Sequence, residues 1–122
     1  MTEVLQPVRG YVWVCLFGCG ISSLVLAGGP SEQTFDLRIA QGRVAKEMQV
    51  LRVKQGDLVK LRWTTDEPMV LHLHGYDIEK KVEPGAITEF AFKAYATGRY
   101  PINSHGQSHD ESTLVYVEVY PR

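Results

Sequence analysis

From Thr34 to the end of the chain, apolar and polar residues trade places one by one, and turn residues break the alternation every eight to fifteen positions. Only an extended chain can use such a period, because successive side chains of a strand point to opposite faces. The clearest run is "DLVKLRWT", where Val59, Leu61 and Trp63 take one side and Lys60, Arg62 and Thr64 the other. A sheet with one buried face needs that division. "TFDLRI" repeats it with Phe35, Leu37 and Ile39, and "MQVLRV" follows. "TEFAFKA" sends Phe90 and Phe92 inward, "GRYPIN" offers Tyr100 and Ile102, and "TLVYVEVY" aligns Val115, Val117 and Val119. "KQGD", with Gly56, and "EPGA" supply turns. "QGRVAKEMQ", residues 41–49, is the one stretch suited to a short helix or a loop. The pattern predicts an all-β domain, a two-sheet antiparallel sandwich with Greek-key connections. Pro101 lacks the N–H that a ladder needs, so its strand is expected to be an edge there, or to end there.

The N-terminal quarter has a different character. After Arg9, the stretch Tyr11 to Gly29 contains no charged residue. A charged start, an apolar middle and the small residues around Ala27 have the layout of a secretory signal peptide cut before Gly28. The run also reaches the ~20 apolar residues that span a bilayer, so an uncleaved membrane anchor is the rival reading of residues 1–29. Either way an apolar helix precedes the sandwich, which takes residues 30–122, and export to the periplasm or another extracytoplasmic space follows. Both cysteines, Cys15 and Cys19, fall in the apolar helix and read as helix residues. The domain beyond has none and folds without a disulfide. With a formal charge of −1 and scattered basic residues, nothing points to nucleic acid.

The four histidines sit in two tight places. "VLHLHGYD" carries His72 and His74, and "NSHGQSH" carries His105 and His109. Alternate strand residues share a face, so His72 and His74 project to one side about 7 Å apart at Cα. Leu71 and Leu73 take the core side, and Met69 goes with them. Two imidazoles so placed share a metal only where the strand bends or stops, and Gly75 offers that point. Imidazole nitrogen suits copper and zinc alike. Asp77 or Asp110 is suited to add an oxygen ligand, or to accept a hydrogen bond from a ring N–H and fix its tautomer. Ser104, His105 and Asp110 name the residue types of a hydrolase triad. Adjacent strand residues face opposite ways, however, so Ser104 and His105 are not expected to meet.

"GDLVKLRWTTDEP", then "HGYD", then "EPGAITEFAFKAYATGRYPINSH" and a closing "VYVEVYP" resemble the cupredoxins. The likeness is strongest to bacterial cupredoxin-like domains and to the copper domain of nitrous-oxide reductase, and it covers most of Val50 to Pro121. It implies a cupredoxin-like Greek-key sandwich, with His74 as a copper ligand and a downstream ligand loop at Ser104 to His109. The chain departs from that pattern at the thiolate: the cysteine slot after "G-x-Y" holds Ser104, and no methionine follows His109. A hydroxyl does not replace a thiolate, so blue-copper electron transfer is not expected. His74 and His105 then form the core of an all-imidazole metal site, with His72 and His109 added and copper favoured over zinc.

The expected function is metal handling or delivery by an exported or membrane-tethered domain, with a membrane protein as candidate partner. A metal-free interaction module, or an accessory subunit of a membrane complex, is the alternative. No enzyme is expected from so short a chain with no proton-handling pair beyond the ligands.

Overall fold

The computed structural model describes residues 28–106 and 111–122. The expected apolar helix, and with it the signal or anchor, lies outside the described residues, as do His109 and Asp110. Among the described residues no helix is long and apolar enough to cross a membrane.

Among the described residues nine strands follow in chain order: β1 (Glu32–Ala40), β2 (Arg43–Val44), β3 (Val50–Lys54), β4 (Leu58–Thr65), β5 (Met69–Leu73), β6 (Ile78–Val82), β7 (Thr88–Lys93), β8 (Gly98–His105) and β9 (Glu111–Tyr120). They form a four-stranded sheet ordered β2-β1-β4-β7 and a five-stranded sheet ordered β3-β9-β8-β5-β6. Within residues 41–49 the only helical piece is a 3-10 turn, Lys46–Met48.

The alternation holds residue by residue. Leu37, Ile39, Val59, Leu61, Trp63 and Phe90 from one sheet meet Leu51, Val53, Leu71, Leu73, Ile102, Val115, Val117 and Val119 from the other, all buried. Trp63 and Phe90 lie with ring centroids 5.9 Å apart at 58°, a tilted pair at the centre of this layer.

The sandwich is not purely antiparallel. β1 runs parallel to β4 from Glu32 to Ile39, and β3 runs parallel to β9 from Val50 to Lys54. After β1 and β2 the chain crosses to the other sheet as β3, then returns as β4 alongside β1. Alternation reports which face of a strand is buried. It carries no information about the direction of the neighbour, so the antiparallel expectation went beyond the pattern.

Pro101 lies inside β8 and is paired with Tyr116 of β9. On the other side its carbonyl accepts the His74 N–H at 3.1 Å. In an antiparallel strand the N and C=O of one residue point the same way. The missing N–H therefore faces the place where β5 stops at Leu73, and one ladder bond is lost where the ladder is already ending.

At the end of the sandwich where β3 passes to β4, a carboxylate is taken inside. Asp57 is only 2% exposed. It accepts the N–H groups of Ser31 at 3.1 Å and Lys54 at 3.0 Å, and it is paired with Arg122. The Arg122 guanidinium also donates to the carbonyls of Gln55, Gly28 and Gly29. One ion pair thus holds together the chain entering β1, the β3–β4 turn and the residues following β9. Burial pushes the Asp57 carboxyl up. The two N–H donors and the Arg122 charge outweigh that and hold it below the usual aspartate range.

Candidate metal centre

His72, His74 and His105 gather on the outer face of the five-stranded sheet, near the end where β8 gives way to β9. β5 and β8 pair antiparallel with Val70 opposite His105, Leu71 opposite Ser104, His72 opposite Asn103 and Leu73 opposite Ile102. Directly opposed residues share a face. Leu71, Leu73, Ile102 and Ser104 therefore turn into the core, and Val70, His72, Asn103 and His105 turn out. His74 follows on the same side, and the His72 and His74 ring centroids are 4.1 Å apart at 48°.

β9 completes the group through an irregularity. Ile102 of β8 faces Val115, but the next residue, Asn103, faces Thr113. Leu114 is the extra residue of a β-bulge, and both Leu114 and Val115 are buried. Without it, the inward parity of Val115, Val117 and Val119 would continue to Thr113 and Glu111. With it, Thr113 and Glu111 turn outward beside Asn103 and His105, and Ser112 turns toward Ser104.

Asn103 is the hub. Thr113 Oγ1 donates to Asn103 Oδ1 at 2.8 Å, and Asn103 Nδ2 donates to Glu111 Oε1 at 2.5 Å. The same Nδ2 lies 3.1 Å from His74 Nε2. Glu111 Oε1 is 3.8 Å from His74 Nε2 and 3.9 Å from His105 Nε2. The three side chains are half-exposed, at 40% for His74, 45% for His105 and 49% for Glu111. The Asn103 amide, chiefly, holds the Glu111 carboxyl below its usual range; burial opposes it, and the nearby imidazoles add smaller downward effects.

These positions answer the residue expectations one by one. His72, His74 and His105 come onto one face. His109 and Asp110 lie outside the described residues. Asp77 sits exposed in the turn after His74 with φ of 53°, while Glu111 stands beside His74 and His105 and Glu79 of β6 lies opposite His72. Met69 is buried with the leucines, so its thioether points away from the rings. Ser104 is buried with its hydroxyl 3.0 Å from Ser112 Oγ. It faces inward and His105 outward, which removes the triad. Among the described residues, no three His, Cys, Asp or Glu side chains stand already arranged around a metal ion. The donors present among the described residues, imidazoles with a carboxylate and no thiolate, fit Cu(II) or Zn(II) and do not fit a blue-copper centre.

The turn that ends β5 is held by an aromatic ring. Gly75 has φ of +88°, and a Cβ there would lie 2.5 and 2.8 Å from two ring carbons of Tyr100. The Tyr100 hydroxyl is itself fixed by the Ala96 carbonyl at 2.9 Å. Gly75→Ala is therefore expected to cost about 2–3 kcal/mol, from left-handed strain plus the clash. A thermal melt should show a loss of roughly 10–20 °C. A loss under a few degrees would mean that Tyr100 yields freely and does not hold the turn.

No protein-family model matches the chain, and no curated protein does. Solved structures do match. A chain of a heme-copper terminal oxidase dimer is similar at 18% identity and TM-score 0.59, covering 71% of this chain and 64% of that one. A multi-copper oxidase from Pseudomonas thermotolerans is similar at 20% and 0.58, covering 77% and 31%. The periplasmic domain of subunit II of the cytochrome oxidase of Bradyrhizobium japonicum is similar at 16% and 0.57, covering 72% and 83%. The chain thus spans less than two thirds of either oxidase chain named first. Likeness at this level of identity speaks for architecture alone, and the architecture is that of a cupredoxin-like, two-sheet β-sandwich.

Proposed function

We propose that the chain is an exported or membrane-tethered cupredoxin-like domain that binds copper through His74 and His105, with His72 and His109 as further donors. Its role is metal handling or delivery rather than electron transfer or catalysis. The observation that carries this reading is the gathering of His72, His74 and His105 on one half-exposed patch beside a carboxylate. An exposed patch of nitrogen donors with no thiolate suits uptake and release. It lacks the copper–sulfur bond on which a blue-copper shuttle depends. Bound copper would supply a transferable cation, and the imidazoles would hold it. Two of the similar structures are of oxidases described as heme-copper or multi-copper, and a third is described as a periplasmic domain. These descriptions support copper, an extracytoplasmic location and a membrane-protein partner as parts of the same proposal.

The 122-residue chain is expected to bind one Cu(II) by native mass spectrometry, without the intense band near roughly 600 nm of a copper–thiolate. His74→Ala with His105→Ala should weaken binding by at least about 100-fold. Unchanged affinity in that double variant would remove the site. A metal-free interaction module is the second reading, favoured by the lack of a preassembled metal cage among the described residues. It predicts a melting temperature that excess copper or zinc does not raise, since a ligand selective for the folded state must stabilise it.

A further inference from the structure

We propose that Glu111 is a metal ligand of this patch and that the Asn103 side-chain amide is a plug occupying the metal's place until it is displaced. This rests on the metal-binding reading above and adds to it a ligand and a gate. The Asn103 amide group has two N–H bonds. One donates to Glu111 Oε1 at 2.5 Å, and the other is within reach of His74 Nε2 at 3.1 Å. The amide is set this way round because its oxygen would otherwise face the Glu111 carboxylate, and in this orientation Thr113 Oγ1 donates to that oxygen at 2.8 Å. Facing the second N–H, His74 Nε2 is placed to act as acceptor, with its lone pair directed at the amide. A carboxylate oxygen and an imidazole lone pair therefore converge on one partly positive NH2 group. Those same two atoms would hold a cation placed there.

The spacing fits a small divalent ion. Nitrogen and oxygen donors at about 2.0–2.1 Å from a tetrahedral ion stand roughly 3.3–3.4 Å from each other. Glu111 Oε1 stands 3.8 and 3.9 Å from the Nε2 atoms of His74 and His105. Closing gaps of that size is a small movement for half-exposed side chains. The amide between them is what keeps the set open. The ligand class is a borderline divalent cation that accepts nitrogen and carboxylate oxygen together, Cu(II) or Zn(II). Entry of the ion requires the Asn103 amide to swing away, and Thr113 is the latch that holds it.

The test is isothermal titration of the full chain and its variants with Zn(II) and with Cu(II), each melt-checked for folding. Asn103→Ala should tighten binding by about tenfold or more, and Glu111→Gln should weaken it by a similar factor. Combined with Glu111→Gln, the gain from Asn103→Ala should largely vanish. Thr113→Val, which frees the amide without removing it, should give a smaller gain and serves if Asn103→Ala does not fold. An affinity within twofold of the unaltered chain for Glu111→Gln, or weaker binding by Asn103→Ala, overturns the proposal. If the unaltered chain takes no metal, the metal-handling reading falls, yet Asn103→Ala should still acquire a site. Absence of binding in that variant as well overturns the plug.

Discussion

Asp57→Ala should lower the melting temperature by roughly 15 °C, the cost of removing one buried carboxylate of about 2–4 kcal/mol. The size follows from what is left behind. The N–H groups of Ser31 and Lys54 lose their acceptor, and Arg122 keeps a charge beside an empty space. Each stranded donor costs on the order of 1–3 kcal/mol where water cannot reach it. Arg122→Met should be milder, because both N–H groups keep the carboxylate and Asp57 loses only one partner. The effect depends on pH with a fixed sign. Asp57 is held below its ordinary value in the fold, so its contribution is complete above the unfolded pKa of roughly 4. It fades as the pH falls from there through the folded value. The stability gap between the unaltered chain and Asp57→Asn, measured by denaturant melts, should therefore be wide at neutral pH and shrink in acid. A gap that widens in acid, or an Asp57→Ala melt within three degrees or so, would show that the pair does not hold this end of the sandwich.

The buried face of nearly every strand was legible, because one-sided burial writes itself into the sequence as a period of two. Val59, Leu61 and Trp63 are the clearest example, and all three are buried as read. The convergence of the histidine patches was half legible. Parity placed His72 and His74 together, and the pairing of β5 with β8 brings His105 to the same face. That pairing is a long-range choice which no local pattern records. Glu111 was not legible at all. Counting back from Val115 in steps of two puts it on the core side, and only the bulge at Leu114 reverses it. The one available hint was the dipeptide Leu114–Val115, two apolar residues where alternation allows one. Asp57 was hidden for a related reason: as part of "KQGD" it reads as an ordinary turn residue, while its partner Arg122 lies 65 positions away.

Trp63→Ala should be among the most damaging single changes in the core, costing about 3–5 kcal/mol, whereas Trp63→Phe should cost about 1 kcal/mol or less. Trp63 is wholly buried, and its alanine variant leaves a large void against Phe90 that a packed sandwich closes only in part. Phenylalanine also loses volume, but it removes a defect. The indole Nε1 is buried without a hydrogen-bond partner, a state that works against the native fold. The relief, on the order of 1 kcal/mol, offsets much of the lost packing. Equilibrium denaturation of the two variants provides the comparison, and a Trp63→Phe cost of about 2 kcal/mol or more would mean that the indole N–H is satisfied in solution. Metal titration of Trp63→Phe separates the core from the patch. Trp63 is in β4 of the four-stranded sheet, while the imidazoles lie on the far face of the opposite sheet, beyond the layer of Leu71, Leu73 and Ile102. Its affinity for copper should equal that of the unaltered chain, because the donors are set by the β5–β8 register and the β9 bulge rather than by the centre of the core.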